Sequence, residues 1–402
     1  MYARLHTGSD RLAQGTADGD PVIEALRGWA ALMVMATHYT YLLTPQAGLW
    51  GFASTGVDLF FVLSGYVFAP YFFGKPLGLR SHLIRRFFRL YPLYLLALLL
   101  YIALHLPAAA AWDHFWVHLF LGHTLTSLEI ANFYNPAFWS LPPEVEYYLL
   151  LPLLAWASTR HRCGRFGFVW LVLLAAFMHL ALVAAASPDE KGITARAIAT
   201  VHVPGLLIEF MLGSLAYAMV RRDASGRAAL MRLALGLLVL SGMGFIFANY
   251  VAPVDGVART VPLWIGGNIG LGAALGYALV VSGVASPPQP GTGRLTPWFT
   301  PWLSPWAASW PRPLPKSLFK SLLNPSFKPT FIVMGELSYG VYLFHNAAPQ
   351  ILGRMLPAIN GSAAVLMCTG ITLLMAFVAH HVIEKPMRAY GRSLSQNAAR
   401  SK

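Results

Sequence analysis

The sequence predicts an all-α, polytopic membrane protein, and its composition and the spacing of its apolar runs carry that expectation. Of 402 residues, 56% are hydrophobic and only 11% are charged, against about 25% charged in an ordinary soluble domain. The apolar residues gather into runs of about 18 or more, long enough to cross a hydrocarbon core as helices.

Ten spans are expected, at about 22–43, 52–73, 90–106, 138–158, 166–186, 199–220, 233–252, 261–283, 331–352 and 363–384. The third is short. The stretch 112–126 (WDHFWVHLFLGHTLT) is too short and too rich in His to span, and reads as an interfacial helix on the outer side. Residues 286–330 are rich in Pro and Trp, with a repeat that places Trp298, Trp302 and Trp306 four apart. Pro at that density excludes a spanning helix, so a cytoplasmic loop with its Trp rings at the headgroups is expected. The remaining expectations are a polar cytoplasmic segment 1–21 without the apolar core of a signal peptide, a membrane domain 22–390 and a basic cytoplasmic tail 391–402.

A net charge of +13 invites a nucleic-acid reading, but its distribution excludes one. Lys75, Arg80, Arg85, Arg86 and Arg89 share one side with Arg160, Arg162, Arg165, Arg221, Arg222, Arg227, Arg232 and the tail from Lys385. The other side holds little more than Lys191, Arg196, Arg259 and Arg354. This asymmetry predicts an N-in, C-in topology. Cys163 and Cys368 do not form a disulfide framework, and His114, His118 and His123 are a poor metal-ligand set.

An ionisable group inside a span is costly and points to function. Arg27 and His38 are 11 residues apart on the first span, which places them about 20° from a common face and about 16 Å apart along the axis. Arg27 then lies toward the cytoplasm and His38 toward the outside, both lining one cavity. Asp58, Glu144 and His345 fall at the depth of His38 on three other spans, so a site near the outer face is expected from the four together. Arg85, Arg86 and Arg89 stack just inside the membrane, where they serve as a topology signal or as an anion site for a cofactor's phosphates. Glu209, near mid-membrane, is expected to pair with an interior Arg or to stabilise packing. Glu336 and Glu384 are expected to pair with Arg or Lys at the inner ends.

Several motifs together resemble one family. They are IEALRGWAALMVMATHY with Arg27 and His38, GVDLFFVLSGY from Gly56, RRFFRLYP from Arg85, FWSLPPEVEYYLLLP from Phe138, LSYGVYLFH ending at His345, and IEKP from Ile383. In this order and spacing, across about residues 22–390, the chain resembles the acyltransferase-three family of integral membrane O-acyltransferases. Where that family often has adjacent acidic residues after Trp-Ser-Leu, this chain has Pro142-Pro143-Glu144-Val145.

The resemblance implies a ten-helix fold in the bacterial inner membrane and no permanently bound cofactor. It implies acyl-CoA, acetyl-CoA in the first place, as donor, and a glycan or lipid-linked glycan hydroxyl as acceptor at the outer face. Arg27, Arg85, Arg86 and Arg89 would then contact the donor. His38 would act as general base or acyl carrier, oriented by Asp58 or Glu144, with His345 in the same site. No metal site is expected, and the oligomeric state stays open. Two other classes fit the composition. One is a proton-coupled transporter or exporter using His38, Asp58, Glu144 and Glu209; the other is a scaffold that recruits partners through the Pro/Trp loop.

Overall fold

The computed structural model describes residues 20–44, 48–159, 166–187, 194–223, 225–252, 261–285 and 328–400. Arg160, Arg162, Cys163, Arg165, Lys191, Arg259 and the Trp298, Trp302 and Trp306 repeat lie outside the described residues, as do the first nineteen. Among the described residues every regular element is helical.

The main helices are α1 (Pro21–Tyr39), α2 (Gly56–Phe72), α3 (Leu79–His105), α4 (Leu141–Thr159), α5 (Gly167–Ala184) and α6 (Val203–Arg222). They continue with α7 (Gly226–Ile246), α8 (Ile269–Val284), α9 (Lys328–Phe344), α10 (Ala347–Met355), α11 (Gly361–Ala379) and α12 (Lys385–Arg400). α1 starts where the Asp20 carboxylate accepts from the Val22 N–H at 2.9 Å and Pro21 fixes the first turn.

Among the described residues, seven helical segments are long and apolar enough to cross a membrane, against the ten expected. The three that fall short are α1, α4 and α9. α1 holds Glu24, Arg27 and His38, and α4 holds Glu144 and Glu146; these polar residues lower the hydropathy of helices that face protein. α9 has only 17 residues. Thus all three helices that fall short, two by composition and one by length, contribute to the site.

Burial orders the bundle. The α6 segment has 78% of its apolar window buried and forms the centre, whereas α5 has 22% and α7 11% and face lipid. α2 and α6 run parallel at backbone contact. A Cβ on Gly65 would lie 1.8 Å from the Phe210 carbonyl oxygen, and one on Gly213 1.9 Å from that of Val62. Only glycine permits this approach, and Ser214 then donates to the Gly65 carbonyl at 2.9 Å. α1 and α9 also run parallel, with Gly28 against Met334 near one end and His38 against His345 near the other.

Three expected elements differ. The third span is not short: α3 covers 27 residues and carries Arg85, Arg86 and Arg89 on its first turns rather than in a loop. The 112–126 stretch is not one helix but a 3₁₀ turn (Ala109–Trp112), a short helix (Phe115–Leu119) and a second 3₁₀ turn (His123–Leu125). The chain reverses at Leu121, whose φ is 57°. The ninth span, expected as one helix over 331–352, is broken between α9 and α10 at His345 and Asn346. The tail is helical through Arg400: a five-residue π-turn, His380–Glu384, joins α11 to α12. Pro386 explains the π-turn, because it has no N–H to give the Val382 carbonyl and the hydrogen-bond ladder must shift there.

Candidate active site

α1, α2, α3, α4 and α9 line a cavity of about 60 Å³. Arg27, Arg86, Arg89 and Glu144 supply its charges, and Ser64, Ser140, Tyr148, Ser338, Tyr339 and Tyr342 its hydroxyls. Arg86 and Arg89 are three apart on α3 and share a face. Arg85, one position away, does not line the cavity, so the expected trio on α3 becomes a pair joined by Arg27 of α1. Arg27 Nη1 bonds Glu24 Oε1 at 2.5 Å, and Gly335 leaves room for that carboxylate against α9. The Arg86 guanidinium stands 5.0 Å from the Phe68 ring centre and 5.7 Å from that of Tyr148. Tyr148 in turn donates to Glu144. With Glu24 offsetting Arg27, the cavity keeps a positive balance and favours an anion.

At the far end, the Tyr342 hydroxyl lies 2.6 Å from Ser140 Oγ and donates to the Ala137 carbonyl at 2.7 Å. Tyr342 packs on Phe60 with ring centres 5.6 Å apart and on His345 at 6.0 Å; His345 packs on His38 at 4.9 Å. His38 is half-buried and does not itself line the cavity. It stands two side chains beyond it, through Tyr342 and His345.

The break at His345 is held by side chains that sequence reasoning did not single out. Tyr101 and the Asn135 amide both donate to the Leu343 carbonyl at 3.1 Å, and Tyr39 donates to the His345 carbonyl at 2.9 Å. Asn346 donates to Asn135 Oδ1 at 2.7 Å. Unwound backbone survives at membrane depth because protein groups satisfy it. The signals were Tyr39 directly after His38 and an Asn-Pro pair before the Trp-Ser-Leu motif. His345 is fully buried; its Nδ1 lies 3.2 Å from the Val341 carbonyl and therefore carries the proton. Its Nε2 is left as a bare acceptor without a protein partner.

The four groups expected at one depth separate into three places. His38 and His345 meet. Glu144 faces the Arg cavity and Tyr148. Asp58 turns to α6 and α8, where its Oδ1 lies beside Gly270 and its carboxyl hydrogen-bonds that of Glu209. The partner of Glu209 is thus a second carboxyl rather than an interior Arg. Neither Asp58 nor Glu144 orients the His38 ring; His345 occupies that position.

Two further His–carboxylate contacts were not foreseen. Glu146 accepts from His202 and from the Val203 N–H at 3.0 Å, which ties α4 to the start of α6. His380 lies 3.0 Å from Glu384 and 3.8 Å from Glu336, and Glu384 also takes Arg388 at 3.4 Å. The inner-end carboxylates therefore do find a basic partner, but His380 is the shared one.

Outside the spans, His118 and His123 are fully buried and stacked with ring centres 4.6 Å apart, while His114 sits edge-on to Phe133. Burial pushes both His118 and His123 down to about 4 from 6.5; for His123 the neighbouring His118 adds to the effect. Among the described residues no group of three or more His, Cys, Asp or Glu is placed to hold a metal ion.

Comparison with curated proteins and with solved structures returned no match. A family model described as an acyltransferase domain matches residues 20–381, nearly the whole chain. That span contains the basic cavity, the paired histidines and every helix from α1 to α11. The chain belongs to the acyltransferase-three family, and is a membrane acyltransferase.

Proposed function

We propose that this protein transfers an acyl group, acetyl in the first place, from cytoplasmic acyl-CoA to a hydroxyl of an extracytoplasmic glycan or lipid-linked glycan. One observation carries the reading: the cation-rich cavity at the basic end is lined by Tyr342, whose ring packs on His345 and through it on His38. The basic end is then cytoplasmic, in the inner membrane of a bacterium, and the imidazoles face the acceptor's side. Arg27, Arg86 and Arg89 hold the donor's phosphates, for which forked guanidinium groups are suited. Tyr342 and His345 stand between the cavity and His38, so these side chains must move aside as the thioester enters.

His38 takes the proton of the acceptor hydroxyl as its oxygen attacks the thioester carbonyl carbon. The tetrahedral adduct collapses, the C–S bond breaks, and the imidazolium returns the proton to the departing thiolate. An ester and free CoA result. His345 packs on the His38 ring at 4.9 Å, and its Nε2, which has no protein partner, can orient the imidazolium as an acceptor.

The test is transfer from radiolabelled acetyl-CoA to cell-surface glycan by purified protein in liposomes. His38→Ala is expected to abolish it while the variant stays folded in detergent, because among the described residues no hydrogen bond is made by that ring. Full activity in a folded His38→Ala protein removes the general-base assignment.

A further inference from the structure

We propose that one side of α10 is the track along which the acceptor binds, and that Arg354 at its outer end holds an oxyanion of the acceptor. The inference rests on the reading above and narrows the acceptor to an anionic one, whether a carboxylate on the glycan or a phosphate on its lipid carrier bears the charge.

α10 leaves the paired imidazoles and runs outward. The Tyr39 hydroxyl joins the His345 carbonyl at 2.9 Å to the Cys368 carbonyl at 3.3 Å. Cys368 lies seven residues into α11, which starts at Gly361, so the break at His345 is about 10 Å below the outer end of that helix. α10 covers that distance. Two of its sides are committed to neighbours: Ala347 packs into the apolar cluster of α3, with Ile351 against it, and Ala348 and Leu352 pack into that of α1 and α11. The third side carries, from the N-cap upward, Asn346, Gln350 and Arg354, four residues apart and therefore one above another. Exposure rises along this line, from buried His345 through half-buried Asn346 and Gln350 to exposed Arg354.

The line has the groups that hold a sugar chain. The Asn346 amide donates to Asn135 Oδ1 at 2.7 Å, and the Gln350 amide donates to the Asn346 carbonyl at 3.3 Å. Among the described residues the side-chain oxygens of both are left without a donor, which a sugar hydroxyl supplies. Arg354 makes no hydrogen bond or ion pair among the described residues. Arg196, also expected on the outer side, is by contrast engaged with the Leu182 carbonyl at 3.3 Å. The helix dipole accounts for a cation on the last turn of α10, but not for the uncharged polar line that joins it to the imidazoles. A guanidinium fork about 12 Å along the axis from Asn346 fits a carboxylate or phosphate set apart from the hydroxyl that is acylated.

The experiment measures equilibrium binding to full-length protein in an uncharged detergent with saturating CoA, which keeps the probes out of the donor cavity. The probes are a tetrasaccharide of uronic acid with its carboxyl-reduced, neutral form, and farnesyl pyrophosphate with farnesol. In at least one pair the anionic member is expected to bind about tenfold more tightly, as for one hydrogen bond to a charged group. A preference in the first pair places the charge on the glycan, and in the second on the carrier. Arg354→Gln should erase the preference while the neutral member binds as before, and Arg354→Lys should restore part of it. No preference in either pair, or one that survives Arg354→Gln, overturns the proposal. Absence of CoA binding removes the donor reading, and this track's role with it; CoA binding without an Arg354-dependent preference removes only the assignment to Arg354.

Discussion

Two buried polar centres in this bundle are built in opposite ways. Around the cavity, Arg27, Arg86, Arg89 and Glu144 come from three helices and meet hydroxyls and aromatic faces, and the space between them is open. Between α2, α6 and α8, Asp58 and Glu209 meet each other, and Gly270 presses on Asp58 with no side chain between. The first centre has surplus cations and room. The second is a closed pair of acids packed side by side, with no space between them. An ionisable residue inside a membrane span is therefore not automatically part of the reacting site. What distinguishes the two is whether neighbouring helices leave a space or fill it.

The sharpest way to break that contrast is to remove one group from each centre. His38→Ala should lower acyl transfer by at least about 10²-fold, the usual contribution of a general base. Asp58→Asn preserves the hydrogen bond to Glu209, and should change transfer by less than about threefold, under 1 kcal/mol of barrier. Comparable losses in both would show that the carboxyl pair belongs to the reaction, and would revive a proton path through α2 and α6.

A second effect concerns the wall between the centres. Gly213→Ala forces a methyl against the Val62 carbonyl oxygen and should cost about 1–3 kcal/mol of stability through overpacking, read as a lower unfolding temperature in detergent. An unchanged melting point would mean that α2 and α6 are farther apart than their glycines imply.

A smaller effect is expected from the stacked imidazoles outside the spans. His118 and His123 protonate near 6.5 when unfolded but only at about 4 when folded. Between those values the unfolded chain binds more protons, so stability falls as the pH falls below 6.5, and the loss is complete below about 4. Thermal unfolding across that range should show the slope, and His123→Phe, which keeps a ring in the stack but cannot protonate, should flatten it. A slope unaltered by that substitution would assign the pH sensitivity to other groups.

Much of the site was legible residue by residue. Arg27 and His38 do lie toward opposite ends of α1, and the second and third arginines of RRFFRLYP do reach a common space with Arg27. The misreadings share one cause. α2, α4 and α6 are apolar on nearly every side, so their periodicity does not reveal which side faces the protein interior. Asp58 and Glu144 could be placed in depth but not in direction, and each turned away from His38. His345 was found, but the break that presents it was not, because a Leu-Phe-His-Asn sequence carries no Pro or Gly to announce a helix end.

From the sequence alone follow the membrane class, which depends on hydropathy and is therefore local, and the family, which depends on the order and spacing of its motifs. The tertiary structure decided rotation and partnership: which carboxyl meets a cation, which meets another acid, and which imidazole stands beside His38. A lipid-embedded helix can bury any face at similar free energy, so its orientation is set by the small residues and polar contacts of its neighbours.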